Sequence, residues 1–185
     1  MKTAFYFLAV LLLNGCAKND PEAGLPPATQ EGRNTAGCLV NGERFMATGY
    51  GSGLGRVGAI GGGFSFDSLY HIAFSGTVGS QNVDVSLFLR HVRRPPRAGK
   101  YLLNQTTPYY PQGTALFVLN HATCVFSNNT GEAYVTDKGH NGSVELTYLD
   151  YNRGISAGTF EFTAASTFDP GKTVTVTKGR FDRKQ

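Results

Sequence analysis

Histidines and carboxylates are the residues of this chain that could perform catalysis or hold a metal ion. Zinc needs three or four converging ligands, yet the histidines lie far apart, without HxH or HxxxH spacing: His71, His91, His121 and His140. No G-x-S-x-G turn marks a nucleophile. A carboxylate pair for glycoside hydrolysis would have to come from distant strands. The sequence therefore predicts no catalytic residue, no metal ligand and no cofactor.

A glycine pattern that could hold a phosphate runs from Gly53 to Gly58 and reads GLGRVG. In dinucleotide-binding domains such glycines lie between a strand and the N-terminus of a helix. Here residues 59–66 continue as a glycine-rich, strand-like segment, and no helical pattern follows. We interpret the pattern as a flexible loop or a closely packed strand.

Cations are concentrated in one part of the chain. No acidic residue occurs between Asp84 and Glu132, and five basic residues lie there: Arg90, Arg93, Arg94, Arg97 and Lys100. Arginine binds phosphate and carboxylate in bidentate fashion. The segment predicts a patch for an anionic ligand, and a solvated hairpin loop is the alternative. Tyr109 and Tyr110, in a loop rich in Pro and Gly, could stack on a sugar ring.

A further reactive group is a thiol at the end of an apolar N-terminal segment. Residues 4–13 are apolar, follow Lys2, and precede Gly15 and Cys16. Such a segment is typical of a secretory signal, and it is shorter than the roughly 20 residues that span a bilayer. The small residue before a cysteine resembles the lipobox of bacterial lipoproteins. This resemblance implies a signal peptide over residues 1–15 and a lipid anchor on Cys16, where two or more acyl chains give stable attachment.

Two further features agree with export. Ala17 stands where an aspartate would argue for retention at the inner membrane, so we expect an outer-membrane lipoprotein that faces either the periplasm or the cell surface. In an oxidising compartment, Cys38 and Cys124 could form a disulfide. Two buried free thiols are the alternative, because unpaired cysteine is among the most buried residue types.

Composition and periodicity predict an all-β domain. The chain has 24 Gly, 9 Tyr, 13 Phe and no Trp, which suits strands joined by tight turns. Apolar and polar residues alternate in 83–90, with Phe88 as the exception, and in 144–148 and 173–177, as in half-buried strands. Asn41-Gly42 predicts a hairpin turn. We expect an antiparallel β-sandwich of about nine to eleven strands, with a calycin-like β-barrel as the alternative.

The segment before this domain has a different composition. Residues 16–36 contain three prolines, small residues and mixed charge, which cannot bury enough apolar surface to order themselves. We predict a lipidated, flexible and disordered tether over 16–36 and a single β-domain over 37–185.

Motifs in the C-terminal third are structural in character. Residues 154–162 read GISAGTFEF and residues 174–182 read VTVTKGRFD, in which Gly179 permits a bulge or turn. With GCLVNG at 37–42 and GKYLL at 99–103, they resemble a family of Bacteroidota lipoprotein β-domains of unknown function. The resemblance implies an anchored β-domain and carries no activity, cofactor or ligand with it.

These observations favour a non-enzymatic, membrane-anchored lipoprotein that binds an anionic glycan, a lipid headgroup or an envelope protein. A lipocalin-like carrier is an alternative that needs an apolar cavity lined by residues such as Phe74, Phe117 and Tyr148. A hydrolase of envelope or glycan substrates is another, and it needs a histidine and a carboxylate with perturbed pKa values in one cleft. The net charge of +4 is too small to indicate nucleic acid as a partner.

Overall fold

The structure is a computed structural model that describes residues 20, 22–65, 69–90, 96–105, 120–127 and 132–185. This part of the chain is almost entirely β, with one short 3-10 turn at Gly53–Gly55, and none of its helices is long and apolar enough to cross a membrane. The strands are β1 (Thr35–Val40), β2 (Glu43–Met46), β3 (Ile60–Ser65), β4 (Leu69–Val78), β5 (Gln81–Arg90), β6 (Gly99–Leu103), β7 (His121–Phe126), β8 (Ala133–Val135), β9 (Gly142–Asp150), β10 (Ile155–Ser166) and β11 (Thr173–Lys184).

The strands pair antiparallel in one sheet that closes partly into a ring. Two seams in it are narrow: β2 meets β4 through a single residue pair, and β8 meets β10 through two pairs. The seams separate a six-stranded layer, β6-β9-β10-β11-β1-β2, from a five-stranded layer, β3-β4-β5-β7-β8. The predicted antiparallel all-β fold of nine to eleven strands is therefore confirmed, and its two layers are joined at both sides into the partial ring.

Apolar side chains from both layers fill the space between them. In β5 every second residue is fully buried, as the alternation predicts: Val83, Val85, Leu87 and Leu89. Across the layers, the ring of Phe74 lies 5.4 Å from that of Phe160 and 5.5 Å from that of Phe181. The buried hydroxyl of Tyr70 is 2.9 Å from Ser156 Oγ. The two layers thus share one packed core.

The hairpin between β1 and β2 follows from its turn residues. Asn41 and Gly42 have φ angles of +51° and +82°, which a two-residue turn of type I′ requires at both central positions. Val40 and Glu43 pair directly on either side of the turn. The hairpin predicted from Asn41-Gly42 is confirmed.

Residues 22–33, the N-terminal strap, lie against the six-stranded layer. Asp182 on β11 is fully buried beneath it. The Asp182 carboxylate accepts a hydrogen bond from Thr29 Oγ1 (2.6 Å) and from three backbone amides, those of Glu31 (3.0 Å), Gly32 (2.7 Å) and Arg33 (3.2 Å). These long-range bonds order a segment whose composition predicts a tether.

The packed region therefore begins earlier than the predicted boundary at residue 37. β1 starts at Thr35, and the strap belongs to the domain. The signal peptide predicted for residues 1–15 and the anchor Cys16 lie outside the described residues.

Cys38 on β1 and Cys124 on β7 enter the core from opposite layers, and both are fully buried free thiols. Burial raises the pKa of Cys38 and raises that of Cys124 to about 12. The disulfide considered for this pair is not formed, and two buried thiols are found in its place. Because the thiolate is the reactive species, burial also slows their oxidation.

Candidate functional site

A β-bulge decides which side chains of β11 reach the outer face of the six-stranded layer. Two residues of β11, Thr177 and Lys178, stand opposite Glu161 of β10. The extra residue shifts the alternation of side chains by one. Arg180 therefore points outward, although an unbroken alternation from the buried Val176 would turn it into the core. Lys178 takes a φ of +55°, which is uncommon for a residue with a side chain.

The outer face of this layer contains a trough of about 380 Å³, a size within the usual range of ligand sites. We call it the charged trough, because six charged residues line it: Glu22, Lys100, Glu145, Glu161, Lys178 and Arg180. They come from the strap and from β6, β9, β10 and β11. The hydroxyls of Ser143 and Thr159 lie among them. The lining thus offers both signs of charge and neutral hydrogen-bonding groups.

Glu22 closes one side of the charged trough. Its carboxylate oxygens lie 3.1 Å from Lys178 Nζ and 3.4 Å from Arg180 Nη2. The neighbouring carbonyl of Ala23 accepts a hydrogen bond of 2.7 Å from Arg44 Nη1 on β2. The strap is therefore held at the trough by side chains of two different strands.

The remaining charges of the charged trough stand apart from the ion pairs of Glu22. Within the described part of the chain, Lys100, Glu145 and Glu161 form no ion pair. Strand register sets their order, because Lys100 pairs with Glu145, Glu145 with Thr159, and Thr159 with Arg180. With neighbouring strands about 4.8 Å apart, the two cations at the ends of this row have backbones roughly 14 Å apart.

The described members of the predicted cationic patch lie in different places. Arg90 ends β5 in the five-stranded layer, where its amide donates to Asn120 Oδ1 at 2.8 Å. Arg97 precedes β6, and its amide and carbonyl both bond the hydroxyl of Tyr101, at 2.8 and 2.7 Å. Lys100 lines the charged trough. The patch is therefore divided between layers, and four other predicted residues lie outside the described residues: Arg93, Arg94, Tyr109 and Tyr110.

Two histidines meet on the outer face of the five-stranded layer. His71 on β4 and His121 on β7 stack on opposite sides of Phe88 on β5, each with ring centroids 4.3 Å apart. Burial lowers the pKa of His71. The phenyl ring between the imidazoles keeps them from approaching one common ion. In the described ranges, no three His, Cys, Asp or Glu side chains form a group suited to a metal.

His140 contacts a carboxylate. Its Nδ1 lies 3.2 Å from both oxygens of Asp137, and Asp137 Oδ1 also accepts from the amides of Gly139 (2.7 Å) and His140 (2.6 Å). Burial alone would raise the pKa of Asp137, but these bonds lower it overall. About a third of each side chain is exposed. The pair closes the loop between β8 and β9 and stands apart from the charged trough.

The glycine pattern at residues 53–58 lies in a loop, where Tyr50 and Val57 form an isolated bridge. Asp84 holds this loop on the five-stranded layer, since its carboxylate accepts from Tyr50 Oη (2.6 Å) and from Ser75 Oγ (2.5 Å). Burial and the contact with Asp84 raise the pKa of Tyr50. These contacts have a structural role and create no phosphate cradle between a strand and a helix.

Sequence reasoning missed the residues that close the charged trough. Glu22 falls in the segment predicted as a tether, and Lys178 and Arg180 flank Gly179 in a motif interpreted as structural. Gly179 is the sequence feature that could have indicated these two cations, because a bulge beside a glycine can turn the side chains on both sides of it outward.

Comparison with known proteins finds no match, whether with protein-family models, curated proteins or solved structures. The resemblance to Bacteroidota lipoprotein domains stays a prediction, and function has to be argued from the geometry of the site.

Proposed function

We propose that this chain is an exported lipoprotein domain, anchored at the outer membrane through Cys16, which binds an anionic, hydroxyl-bearing ligand in the charged trough. The observation that supports this most directly is the trough itself, where cations, carboxylates and hydroxyls meet around about 380 Å³. The ligand chemistry is an acidic group on a polyhydroxyl backbone. An acidic glycan and an anionic lipid headgroup both carry it.

The chemistry of each lining residue supports this ligand class. Lys178 and Arg180 provide charge-assisted hydrogen bonds to a carboxylate or phosphate, while the carboxylates of Glu145 and Glu161 accept hydrogen bonds from hydroxyls. Lys100, across the sheet, offers a second contact for an acidic group. A ligand with acidic groups spaced along a hydroxyl-rich chain satisfies both ends of the row.

The core favours this surface over an interior site. Phe74, a candidate lining residue for an apolar carrier, is fully buried between layers against Phe160 and Phe181. Tyr148, another candidate, directs its hydroxyl to Asp150 Oδ2 at 3.3 Å. Phe117, the third, lies outside the described residues.

The strap supports a position close to the membrane. Glu22, at the edge of the charged trough, follows Cys16 by only six residues, and six extended residues span at most about 21 Å. With a lipid on Cys16, the trough would lie near the headgroup layer, within reach of membrane-bound ligands and of free glycans.

The anchor is tested by fractionating cells that express the full chain or its Cys16→Ser variant. The unmodified chain is expected in the outer-membrane fraction and labelled by palmitate, and Cys16→Ser is expected to be soluble and unlabelled. If both proteins fractionate alike, the proposed anchoring is wrong.

Binding is tested with the purified Cys16→Ser chain, which carries no lipid and therefore needs no detergent. The probes are polygalacturonate, neutral dextran, and vesicles of phosphatidylcholine with or without phosphatidylglycerol. The double variant Lys100→Gln with Lys178→Gln is expected to lose at least fivefold in affinity for the anionic probes. The control, Lys138→Gln with Lys172→Gln, removes the same charge from exposed positions outside the trough and is expected to change affinity less than twofold.

Preference for polygalacturonate would identify a glycan, and preference for anionic vesicles a headgroup. Equal losses in the two double variants would mean that only net charge matters, and the trough would then not be the site.

A further inference from the structure

We propose that Glu22 is a built-in competitor of the ligand. Its carboxylate occupies an anion subsite formed by Lys178 and Arg180, and an incoming carboxylate or phosphate has to displace it. This inference rests on the proposed function, since it specifies how the charged trough binds its ligand and how access to it is limited.

The subsite is built by the backbone of β11. The bulge opposite Glu161 brings two successive outward side chains of this strand, Lys178 and Arg180, to the same group. Arg180 is well covered, with 23% of its side chain exposed, and Lys178 is more open at 59%. Each cation contacts a different oxygen of Glu22, so the subsite fits a group that presents two oxygens.

Glu22 can leave this subsite while the rest of the strap stays in place. The strap is fixed further along by the four hydrogen bonds to Asp182 and by Leu25, which is buried beside Gly37. Between Glu22 and these fixed points lies Gly24, with a φ of +90°. Glycine adopts this region freely, so the chain can turn there. The turn breaks the bond from Arg44 Nη1 to the carbonyl of Ala23 and leaves the four bonds to Asp182 in place.

The neighbourhood of the subsite indicates which acids it prefers. Glu161 stands directly opposite the bulge, and Ser143 pairs with Glu161 on the adjacent strand. A hydroxyl next to the acidic group of the ligand would donate to the Glu161 carboxylate, a contact that Glu22 itself cannot make. An acid with neighbouring hydroxyls therefore gains a bond on replacing Glu22, and a simple carboxylate such as acetate gains none.

The test compares the lipidated full chain with Glu22→Gln and with a matched control, Glu31→Gln. Both changes remove one negative charge from the strap, but the Glu31 carboxylate contacts only Arg33 (2.7 Å) among the described residues, away from the trough. An exposed ion pair typically accounts for a two- to fivefold change. Affinity for polygalacturonate is expected to rise two- to fivefold in Glu22→Gln and to stay within 1.5-fold in Glu31→Gln.

A second measurement does not depend on a variant. The amide of Leu25 donates to the carbonyl of Glu22 at 3.0 Å, so displacement of Glu22 should speed hydrogen exchange at Leu25 when saturating polygalacturonate is added to the unmodified protein. The amides bonded to Asp182 should keep their protection.

The outcomes separate the two proposals. If no anionic probe binds any of the proteins, the proposed function fails. If the probe binds but both strap variants behave alike, or Leu25 keeps its exchange rate, the ligand does not compete with Glu22. Weaker binding by Glu22→Gln would make Glu22 part of the ligand contact and would also overturn the inference.

Discussion

Asp182→Asn tests whether long-range hydrogen bonds hold the N-terminal strap. The native carboxylate is fully buried and accepts four hydrogen bonds of 2.6–3.2 Å. Asparagine keeps one acceptor oxygen and places an NH₂ group where backbone amides donate. With roughly 1.5–3 kcal/mol for a hydrogen bond to a charged group, losing about two of them lowers the free energy of unfolding by about 3–6 kcal/mol.

The pH dependence gives this prediction a second, independent part. Burial by itself would raise the pKa of Asp182, but the hydrogen bonds from the strap lower it overall. A carboxyl whose pKa is lower in the folded state than in the unfolded state stabilises the folded protein. This stabilisation is complete above the unfolded-state pKa of about 3.9, and it is lost as the pH falls through the folded-state pKa. The difference in stability between the unmodified protein and the Asp182→Asn variant is thus complete at pH 7 and shrinks below about pH 4.

The assay is urea unfolding of the Cys16→Ser chain, with and without the Asp182→Asn substitution, at pH 7 and pH 3. Asp169→Asn is the matched control, because Asp169 is exposed and its carboxylate accepts, among the described residues, one hydrogen bond, from the amide of Gly171 at 3.1 Å. The effect of this change should stay below about 1 kcal/mol. A loss in Asp182→Asn no larger than in the control, or a loss that is the same at both pH values, would refute the reasoning.

Two further predictions concern the bulge and the core. Gly179→Ala places a Cβ 2.5 Å from the ring of Phe160 and 2.6 Å from its carbonyl oxygen, so we expect it to lower the free energy of unfolding in urea by about 2 kcal/mol or more. Gly61→Ala in β3 is the control, because its Cβ meets no atom within 4 Å. Equal effects of the two changes would contradict this account of the bulge. Cys38 and Cys124 should resist iodoacetamide in the folded protein and both react after unfolding without reductant; failure to label the unfolded chain would show that they are bridged.

The strap changes how the domain is expected to behave if Cys16 carries the proposed lipid. A tether of some twenty flexible residues would have a reach of about 25 Å and would leave the domain free to rotate. Without ligand the strap lies on the domain from Glu22 onward, six residues after Cys16, and a lipid on Cys16 would keep the charged trough on the side that faces the membrane. Binding at this trough would then be sensitive to the distance from the membrane.

The charged trough lies on the outer face of a β-layer and not in the core between the layers. Core side chains from the two layers meet between them, as Tyr70 and Ser156 do at 2.9 Å, and the charged trough lies outside this packed interior. On the outer face of the six-stranded layer, the bulge in β11 and the strap form a depression that a regular sheet does not have. The proposed site is thus a group of charged side chains supported by a packed sandwich.

The sequence by itself determined the local features of this protein. Alternation in β5 and β11, together with turn residues such as Asn41-Gly42, specifies the strands and hairpins, because side-chain period and φ preference act within a few residues. The all-β class follows from these patterns, and so do the buried positions of β5.

Only the tertiary structure determined which residues distant in the chain are in contact. Thr29 and Asp182 are separated by 153 positions, Glu22 and Arg180 by 158, and no local pattern encodes either contact. The composition of residues 16–36 therefore predicts a free tether, while a buried carboxylate on the last strand orders its second half. The charged trough likewise depends on the strand order and on one bulge that reverses which side chains of β11 face outward. The strand order and the bulge are both set by pairing between strands that are distant in the chain.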